Sequence, residues 1–154
     1  MEFYKYHGLG NDYIVIDPAR SPGQLDKGQI RRICHRQFGL GSDGILLGPL
    51  PETGRGFAVR IFNPDGSEAE KSGNGLRIFS RYLYDQDRVA EAPFQIVTSG
   101  GEVTARVSEK GRLISVEMGA VSFTSTRIPV AGEPREVINE PLVIDGRNLW
   151  ICAA

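Results

Sequence analysis

The chain has 154 residues, a formal net charge of −1 and 40% hydrophobic residues, which is enough for one ordinary domain with a core. The charge balance excludes the basic surface typical of nucleic-acid-binding proteins, and no apolar run approaches the length of a membrane span. The N-terminal residues lack the basic and apolar segments of a signal peptide, and two cysteines give neither a disulfide framework nor a metal pattern. We therefore expect a cytoplasmic protein without a metal site.

The first two predicted strands lie on either side of a glycine-rich turn. Residues 1–7 alternate loosely between apolar and polar side chains, and residues 13–17 form a compact β-branched run. Residues 8–12 between them predict a hairpin turn. The amide of Asn11 in this turn can donate and accept hydrogen bonds at once, which suits a zwitterion, but the residues alone favour a plain turn.

A helix is predicted over residues 26–37, after a loop of proline, glycine and serine. Cys34 falls on its apolar face, so we interpret it as a small core residue. His35 has no second ligand at metal-binding spacing in the sequence, which favours a surface position. A short buried strand is predicted at residues 45–47, and a loop with two prolines at residues 48–56.

The most informative stretch is residues 62–77, which follows an apolar strand at residues 57–62. After a proline-aspartate-glycine turn, Ser72 is a favoured N-cap for a helix over residues 73–86. Glycines in the first helical turn leave backbone N–H groups approachable at the positive end of the helix dipole, which suits a carboxylate or a phosphate. Taken alone, however, Ser-Gly-Asn-Gly favours a capped helix start over a binding site.

The second half of the chain predicts mainly strands. Three of them, joined by hairpin turns, are expected at residues 94–98, 103–107 and 113–117. A last hairpin is predicted around Asp145 and Gly146, with Trp150 as a core or interface anchor. The chain ends directly after an apolar strand, which we interpret as a truncation point or a domain boundary.

Three blocks of sequence together resemble the signature of the diaminopimelate epimerase family. They are Lys-Tyr-His-Gly-Leu-Gly-Asn-Asp-Tyr at 5–13, Arg-Gln-Phe-Gly-Leu-Gly-Ser-Asp-Gly at 36–44, and Phe-Asn-Pro-Asp-Gly-Ser-Glu with Ser-Gly-Asn-Gly-Leu-Arg within 62–77. Their order along the first half of the chain makes the match specific. One departure concerns the chemistry, because the family places a catalytic cysteine where this chain has Ser72.

The resemblance implies an α+β fold in which a curved mixed β-sheet, or partial barrel, wraps around a central helix. Residues 1–154 would be the N-terminal one of two pseudo-symmetric halves, with the C-terminal half absent. The implied isomerase activity converts LL-diaminopimelate to meso-diaminopimelate for lysine and cell-wall synthesis, without pyridoxal phosphate or any other cofactor. The implied partners are the amino acid substrate, the missing half and a second copy in a homodimer, with no nucleic acid or membrane.

Carried over residue by residue, the resemblance places Ser72 at the catalytic acid/base position. The residues implied to contact the α-amino and carboxylate groups of the substrate are Asn11, Asn63, Gly73 and Asn74. A positive helix end lowers the pKa of a thiol, whereas a serine hydroxyl is far less acidic and no histidine is evident beside it. Ser72 is therefore an engineered change, a natural variant that still relays a proton, or a relic that only caps the helix.

The second half of the family pattern is missing from the chain, so we expect these residues to be inactive alone. Two alternatives stay open. The first is another pyridoxal-phosphate-independent amino acid racemase or epimerase of the same fold, because position 44 is glycine where some members carry a substrate-contacting glutamine. The second is a non-catalytic domain that binds an amino acid, which Ser72 favours.

Overall fold

The computed structural model describes residues 2–21, 23–51, 54 and 56–154. The chain divides into two compact units, Met1–Met118 and Gly119–Ala154. The first unit contains the helices α1 (Lys27–Cys34) and α2 (Gly73–Asp85) and a short 3-10 turn at Glu109–Gly111. Its strands are β1 (Tyr4–Gly8), β2 (Asn11–Ile16), β3 (Ile45–Leu50), β4 (Phe57–Phe62), β5 (Glu68–Ala69), β6 (Phe94–Thr98), β7 (Gly101–Ser108) and β8 (Leu113–Val116).

These eight strands form one mixed sheet in the order β1-β2-β3-β4-β6-β7-β8, with β5 paired to β4. The β2–β3 and β4–β6 pairs are parallel, and the other pairs are antiparallel. Helix α2 contacts both edge strands, β1 and β8. The sheet therefore curls around α2, as the expected α+β fold with a curved mixed sheet requires.

Two apolar clusters fill the two faces of the sheet, because side chains of successive strand residues point to opposite sides. The larger cluster surrounds α2, whose inward residues Leu76, Phe79, Tyr82 and Leu83 are all buried, as the helical spacing predicted. The smaller cluster packs α1 against the opposite face and includes Cys34. Burial raises the pKa of the Cys34 thiol, in agreement with a core residue.

Helix α1 is shorter than predicted: it ends at Cys34, so the predicted end at residue 37 is wrong. His35 adopts an extended conformation, and its Nδ1 atom accepts the N–H groups of Gln37 and Phe38 at 3.2 and 3.1 Å. The chain then folds back so closely that a Cβ at Gly39 would lie 1.9 Å from the Arg32 carbonyl oxygen. Local side-chain bonds therefore replace the last helical turn.

Two predicted turns also have different bounds. The β1–β2 turn consists only of Leu9 and Gly10, both at positive φ, and Asn11 is already the first residue of β2. The predicted loop at 48–56 begins later, because β3 continues to Leu50. Residues 52, 53 and 55 of that loop lie outside the described residues.

The second unit contains a two-stranded sheet, β9 (Glu140–Ile144) and β10 (Arg147–Ile151), and a 3-10 turn at Ser125–Arg127. The predicted hairpin turn at Asp145 and Gly146 is confirmed, with both residues at positive φ. The core alternative for Trp150 is wrong, because the residue is 70% exposed, and the interface alternative stays a prediction. Among the described residues, no helix has both the length and the apolar character needed to cross a membrane.

Candidate active site

The N-terminus of α2 forms the centre of the candidate site. Ser72 is the N-cap, in an extended conformation, and its Oγ accepts the Gly75 N–H at 3.1 Å. The Ser72 carbonyl oxygen accepts the first intrahelical bond, from the Leu76 N–H at 2.8 Å. The predicted cap and the predicted start of the helix at Gly73 are confirmed.

The two glycines of this first turn have different surroundings. A Cβ at Gly75 would lie 3.1 Å from Ser72 Oγ and 3.2 Å from Leu46, so this position is packed. A Cβ at Gly73 would meet nothing within 4 Å. In the part of the chain that the structure describes, the N–H groups of Gly73 and Asn74 have no hydrogen-bond acceptor. These amides can therefore bind an anion at the positive end of the helix.

The side chain of Asn74 is oriented by Arg77, whose guanidinium donates a hydrogen bond to Asn74 Oδ1. This contact fixes the orientation of the amide, so its NH2 group is the part left to interact with a ligand. The groups that Asn74 leaves unpaired, its backbone N–H and its side-chain NH2, are therefore both donors. That arrangement suits a carboxylate and disfavours an ammonium group.

The Asn11 amide has the opposite orientation to that of Asn74: its NH2 group, not its oxygen, is bonded to the protein. Its Nδ2 donates to Asp43 Oδ2 at 2.9 Å, and the Asp12 N–H donates to the same oxygen at 3.0 Å. Among the described residues, no donor reaches the Asn11 side-chain oxygen. That oxygen can therefore accept a hydrogen bond from a ligand ammonium group.

A charged network anchors Asp43 and Asp12 beneath Asn11. The Arg36 guanidinium donates to Asp12 Oδ1 and Asp43 Oδ1, both at 2.7 Å, and Lys5 lies 3.2 Å from Asp12. The hydrogen bond from Arg36, followed by that from Lys5, holds the pKa of the Asp12 carboxyl well below its ordinary value. Asp12 therefore stays ionised at neutral pH, and the network ties β1, β2 and the loop before β3 together.

Asn63 follows β4 and shares the orientation of Asn11. Its Nδ2 donates to Ser67 Oγ at 2.9 Å, and its backbone N–H donates to the Ser67 carbonyl at 2.9 Å. Asp65 accepts both the N–H and the O–H of Ser67, which completes the predicted turn. As with Asn11, no donor to the side-chain oxygen of Asn63 is found within the described ranges.

The strand register brings these groups to one end and one face of the sheet. A row of directly paired residues, on the α1 side, consists of Ile14, Ile45 and Phe62. Tyr13, Gly44 and Asn63 occupy the next row and therefore face α2, as Asn11 does two residues before Tyr13. Tyr13 reaches the helix, because its hydroxyl lies 3.2 Å from Ser72 Oγ. Register thus puts Asn11, Tyr13 and Asn63 on the face toward α2, and the contact of Tyr13 with Ser72 joins this face to the start of the helix.

Sequence reasoning missed Tyr13, Asp43 and Arg36 as parts of this site. The alternation of strand side chains could have indicated Tyr13, because it shares a face with Asn11. Asp43 becomes a neighbour of Asn11 only through the parallel pairing of β2 with β3, which the sequence does not reveal. The individual roles of Ser72, Asn11, Asn63, Gly73 and Asn74 stay predictions.

Solved structures place the fold in a class that includes amino acid racemases and epimerases. A chain described as a probable proline racemase from Agrobacterium radiobacter is similar with a TM-score of 0.54 and 16% identity, over 74% of this chain and 40% of that one. A hydroxyproline epimerase from Agrobacterium vitis has a TM-score of 0.51 and 16% identity, over 71% and 38%. At these identities the likeness shows the fold alone, and it agrees with the expected curved sheet around a helix.

The chain belongs to the diaminopimelate epimerase family, whose model matches residues 3–124. A protein of Nostoc sp. named diaminopimelate epimerase 2 is 59% identical over the whole chain, which covers 54% of that relative. The diaminopimelate epimerase of Moorella thermoacetica is 42% identical over 96% of this chain and 54% of the relative. The resemblance is thereby confirmed, and the chain spans about half the length of the curated relatives it matches.

Proposed function

We propose that the chain is the N-terminal half of a cytoplasmic diaminopimelate epimerase that works without pyridoxal phosphate. The full protein would convert LL-diaminopimelate to meso-diaminopimelate in lysine synthesis, and would do so as a homodimer. The observation that supports this proposal is the first turn of α2, where unpaired amides stand beside Ser72 in a chain of this family. A second half would contribute the other acid/base group.

Substrate binding in this proposal uses the two kinds of polar group that the site presents. The α-carboxylate binds the N–H groups of Gly73 and Asn74 and the Asn74 side-chain amide, because all of these are donors. The α-ammonium group binds the side-chain oxygens of Asn11 and Asn63. The α-carbon then lies between the two sets of contacts, within reach of Ser72 Oγ.

Proton transfer in this proposal occurs on two faces of the α-carbon. The group from the second half breaks the C–H bond on one face, and the electron pair spreads into the carboxylate, which the amides of α2 stabilise. Ser72 then delivers its hydroxyl proton to the other face, forming the new C–H bond and leaving an alkoxide. After each turnover the group from the second half releases its proton to water and the alkoxide regains a proton from water, so both groups return to their starting states.

The experiment is incubation with LL-diaminopimelate in deuterium oxide, followed by mass spectrometry and NMR of the α-carbon. The full-length protein should incorporate deuterium and form the meso isomer, whereas residues 1–154 alone should do neither. Profiling proline, histidine and diaminobutyrate in parallel reports the substrate class. If diaminopimelate does not exchange but another amino acid does, the proposed substrate is wrong, whereas the proposed proton transfer at an α-carbon still holds.

A second candidate function is amino acid binding without catalysis. The observation that favours it is that Ser72 Oγ already accepts the Gly75 N–H, which is all that a helix cap requires. Ser72→Cys in the full-length protein separates the two functions. A large gain in turnover means that serine limits catalysis, whereas tight binding of diaminopimelate without turnover in either form supports a binding domain.

A further inference from the structure

Tyr13 joins the sheet to the proposed acid/base residue. Its side chain leaves β2 toward α2 in a residue that is only 6% exposed, and its hydroxyl lies 3.2 Å from Ser72 Oγ. This distance is longer than the usual O–H···O separation of about 2.5–3.0 Å, as is common for catalytic hydrogen bonds before substrate binds. A phenylalanine at position 13 would keep the ring and lose only this contact.

Gly44 makes the position of the Tyr13 ring attainable. A Cβ at Gly44 would lie 2.6 Å from Tyr13 Cε1 and 2.5 Å from the Phe62 carbonyl oxygen. Real side chains do not approach so closely, so any residue other than glycine would displace the ring or the backbone. The glycine at position 44 and the tyrosine at position 13 therefore form a matched pair, and the space beside Ser72 is filled by the phenol.

The hydrogen-bond capacity of serine indicates what the phenol does there. A hydroxyl has one proton to donate and two lone pairs to accept with, and the Gly75 N–H already occupies one lone pair of Ser72. If Tyr13 donates its O–H, the second lone pair is occupied as well. The proton of Ser72 then has no acceptor within this group of three, so it is free to point toward a bound ligand.

We propose that Tyr13 is a positioning residue for Ser72, which it orients by donating its phenolic O–H to Ser72 Oγ. This inference rests on the proposed function. When the proton of Ser72 moves to the α-carbon, the O–H bond breaks, the new C–H bond forms and the electron pair stays on Oγ. The resulting alkoxide keeps two donors, the Gly75 N–H and the Tyr13 O–H, and water later returns its proton. Tyr13 itself gains and loses no proton.

The consequence is that the contribution of Tyr13 depends on which atom occupies position 72. A serine hydroxyl is weakly acidic and needs both donors, whereas a thiol forms a stable thiolate and accepts hydrogen bonds weakly. Removal of the phenolic hydroxyl should therefore impair a serine enzyme much more than a cysteine enzyme.

The test compares Tyr13→Phe in the full-length protein with the same change in a Ser72→Cys background, using kcat and KM for diaminopimelate. Because loss of one donor to an oxyanion costs 100-fold or more in known enzymes, we expect kcat to fall about 100-fold in the serine protein at nearly constant KM. In the cysteine background the loss should be about threefold or less. Tyr6→Phe is the matched control, because its hydroxyl contacts Asp85 near the other end of α2, and it should leave kcat unchanged.

Equal losses of kcat in the two backgrounds, or a rise in KM without loss of kcat, would overturn the positioning role. If the wild-type protein exchanges no amino acid at all, the proposed function fails by itself. The contact is then tested by the urea midpoints of Tyr13→Phe, Ser72→Ala and the double variant. A non-additive shift supports the hydrogen bond, and additive shifts overturn it.

Discussion

The two helices of the first unit begin in different ways. At α1 the start is closed: Asp26 Oδ1 accepts the Gln29 N–H at 2.8 Å, and the Gln29 side chain accepts the Asp26 N–H at 2.9 Å. The turn before β5 lies against Lys27, the first residue of the helix, since a Cβ at Gly66 would lie 3.0 Å from the Cβ of Lys27. The two reciprocal hydrogen bonds between Asp26 and Gln29 form a capping box, so both N–H groups are satisfied within the protein.

The start of α2 keeps the N-cap bond, from the Gly75 N–H to Ser72 Oγ, but lacks the other two contacts. Gly75 occupies the position that Gln29 has in α1, so no side chain returns to the N-cap amide. A Cβ at Gly73 would meet nothing within 4 Å, whereas Lys27, at the same position of α1, lies against the turn before β5. Glycine in a helix costs up to about 1 kcal/mol relative to alanine, so two of them in one turn are unfavourable for stability. The difference teaches that α1 closes its N-cap amide with a side chain, whereas α2 has glycine at that position and a second glycine at the start of the turn, at a stability cost that the proposed binding site would explain.

The largest expected effect comes from removing each cap. Ser72→Ala and Asp26→Ala should each lower the free energy of unfolding by about 1 kcal/mol, because each loses one capping bond. Only Ser72→Ala should also abolish α-deuterium exchange in the full-length protein, with a loss of about 100-fold or more. Urea unfolding and exchange rates measure the two effects separately. Full exchange in Ser72→Ala would show that Ser72 is a cap and nothing else.

Adding a methyl group to the first turn of α1 or of α2 tests whether a ligand approaches that turn. Gly73→Ala places a Cβ in open space, so stability should stay the same or rise by up to about 1 kcal/mol. The same methyl group should obstruct the substrate carboxylate and raise KM about 10-fold, which corresponds to about 1.4 kcal/mol of binding. Gly28→Ala in α1 is the matched control and should leave KM unchanged. An unaltered KM in Gly73→Ala would mean that no ligand approaches this turn.

Each side of the sheet also has a carboxylate that holds a neighbouring polar side chain, and Asp43→Asn tests the carboxylate that holds Asn11. The amide of Asn11 would lose its carboxylate acceptor, while Arg36 would keep its bond to Asp12. We expect kcat/KM to fall about fivefold to tenfold, because the hydrogen bond to a charged group that orients Asn11 is lost. Glu68→Gln is the control: it weakens the ion pair with Arg60, 2.8 Å long, beside the start of α1. A similar loss in both variants would indicate a general effect on the sheet.

The features that the sequence predicted well are those that local chemistry determines. Ser72 and the helical spacing of Leu76 and Phe79 were sufficient to place the start of α2 and its buried face. The family resemblance then supplied the curled sheet, which no local pattern indicates. Cys34 was assigned to the core correctly for the same reason, because its neighbours on the helix face are apolar.

The features that the sequence did not predict depend on contacts between distant segments. The start of β2 at Asn11 and the place of Tyr13 beside Ser72 both follow from strand pairing, which period alone does not determine. The early end of α1 depends on a close approach of Gly39 to Arg32. The core alternative for Trp150 was wrong because apolar character alone does not ensure burial, whereas its role as an interface anchor stays a prediction.

The smallest expected effect comes from Gln29→Ala, which opens one half of the capping box of α1. The Asp26 N–H would lose its side-chain acceptor and turn to water, because this end of the helix is exposed. The free energy of unfolding should fall by about 0.5 kcal/mol, the lower limit for a hydrogen bond that water can replace. Exchange at the α-carbon should stay at the wild-type rate, because an accessible amide is insufficient where no acid/base group or positioned asparagine stands beside it. A loss of exchange without loss of stability would instead mean that both helix starts serve the reaction.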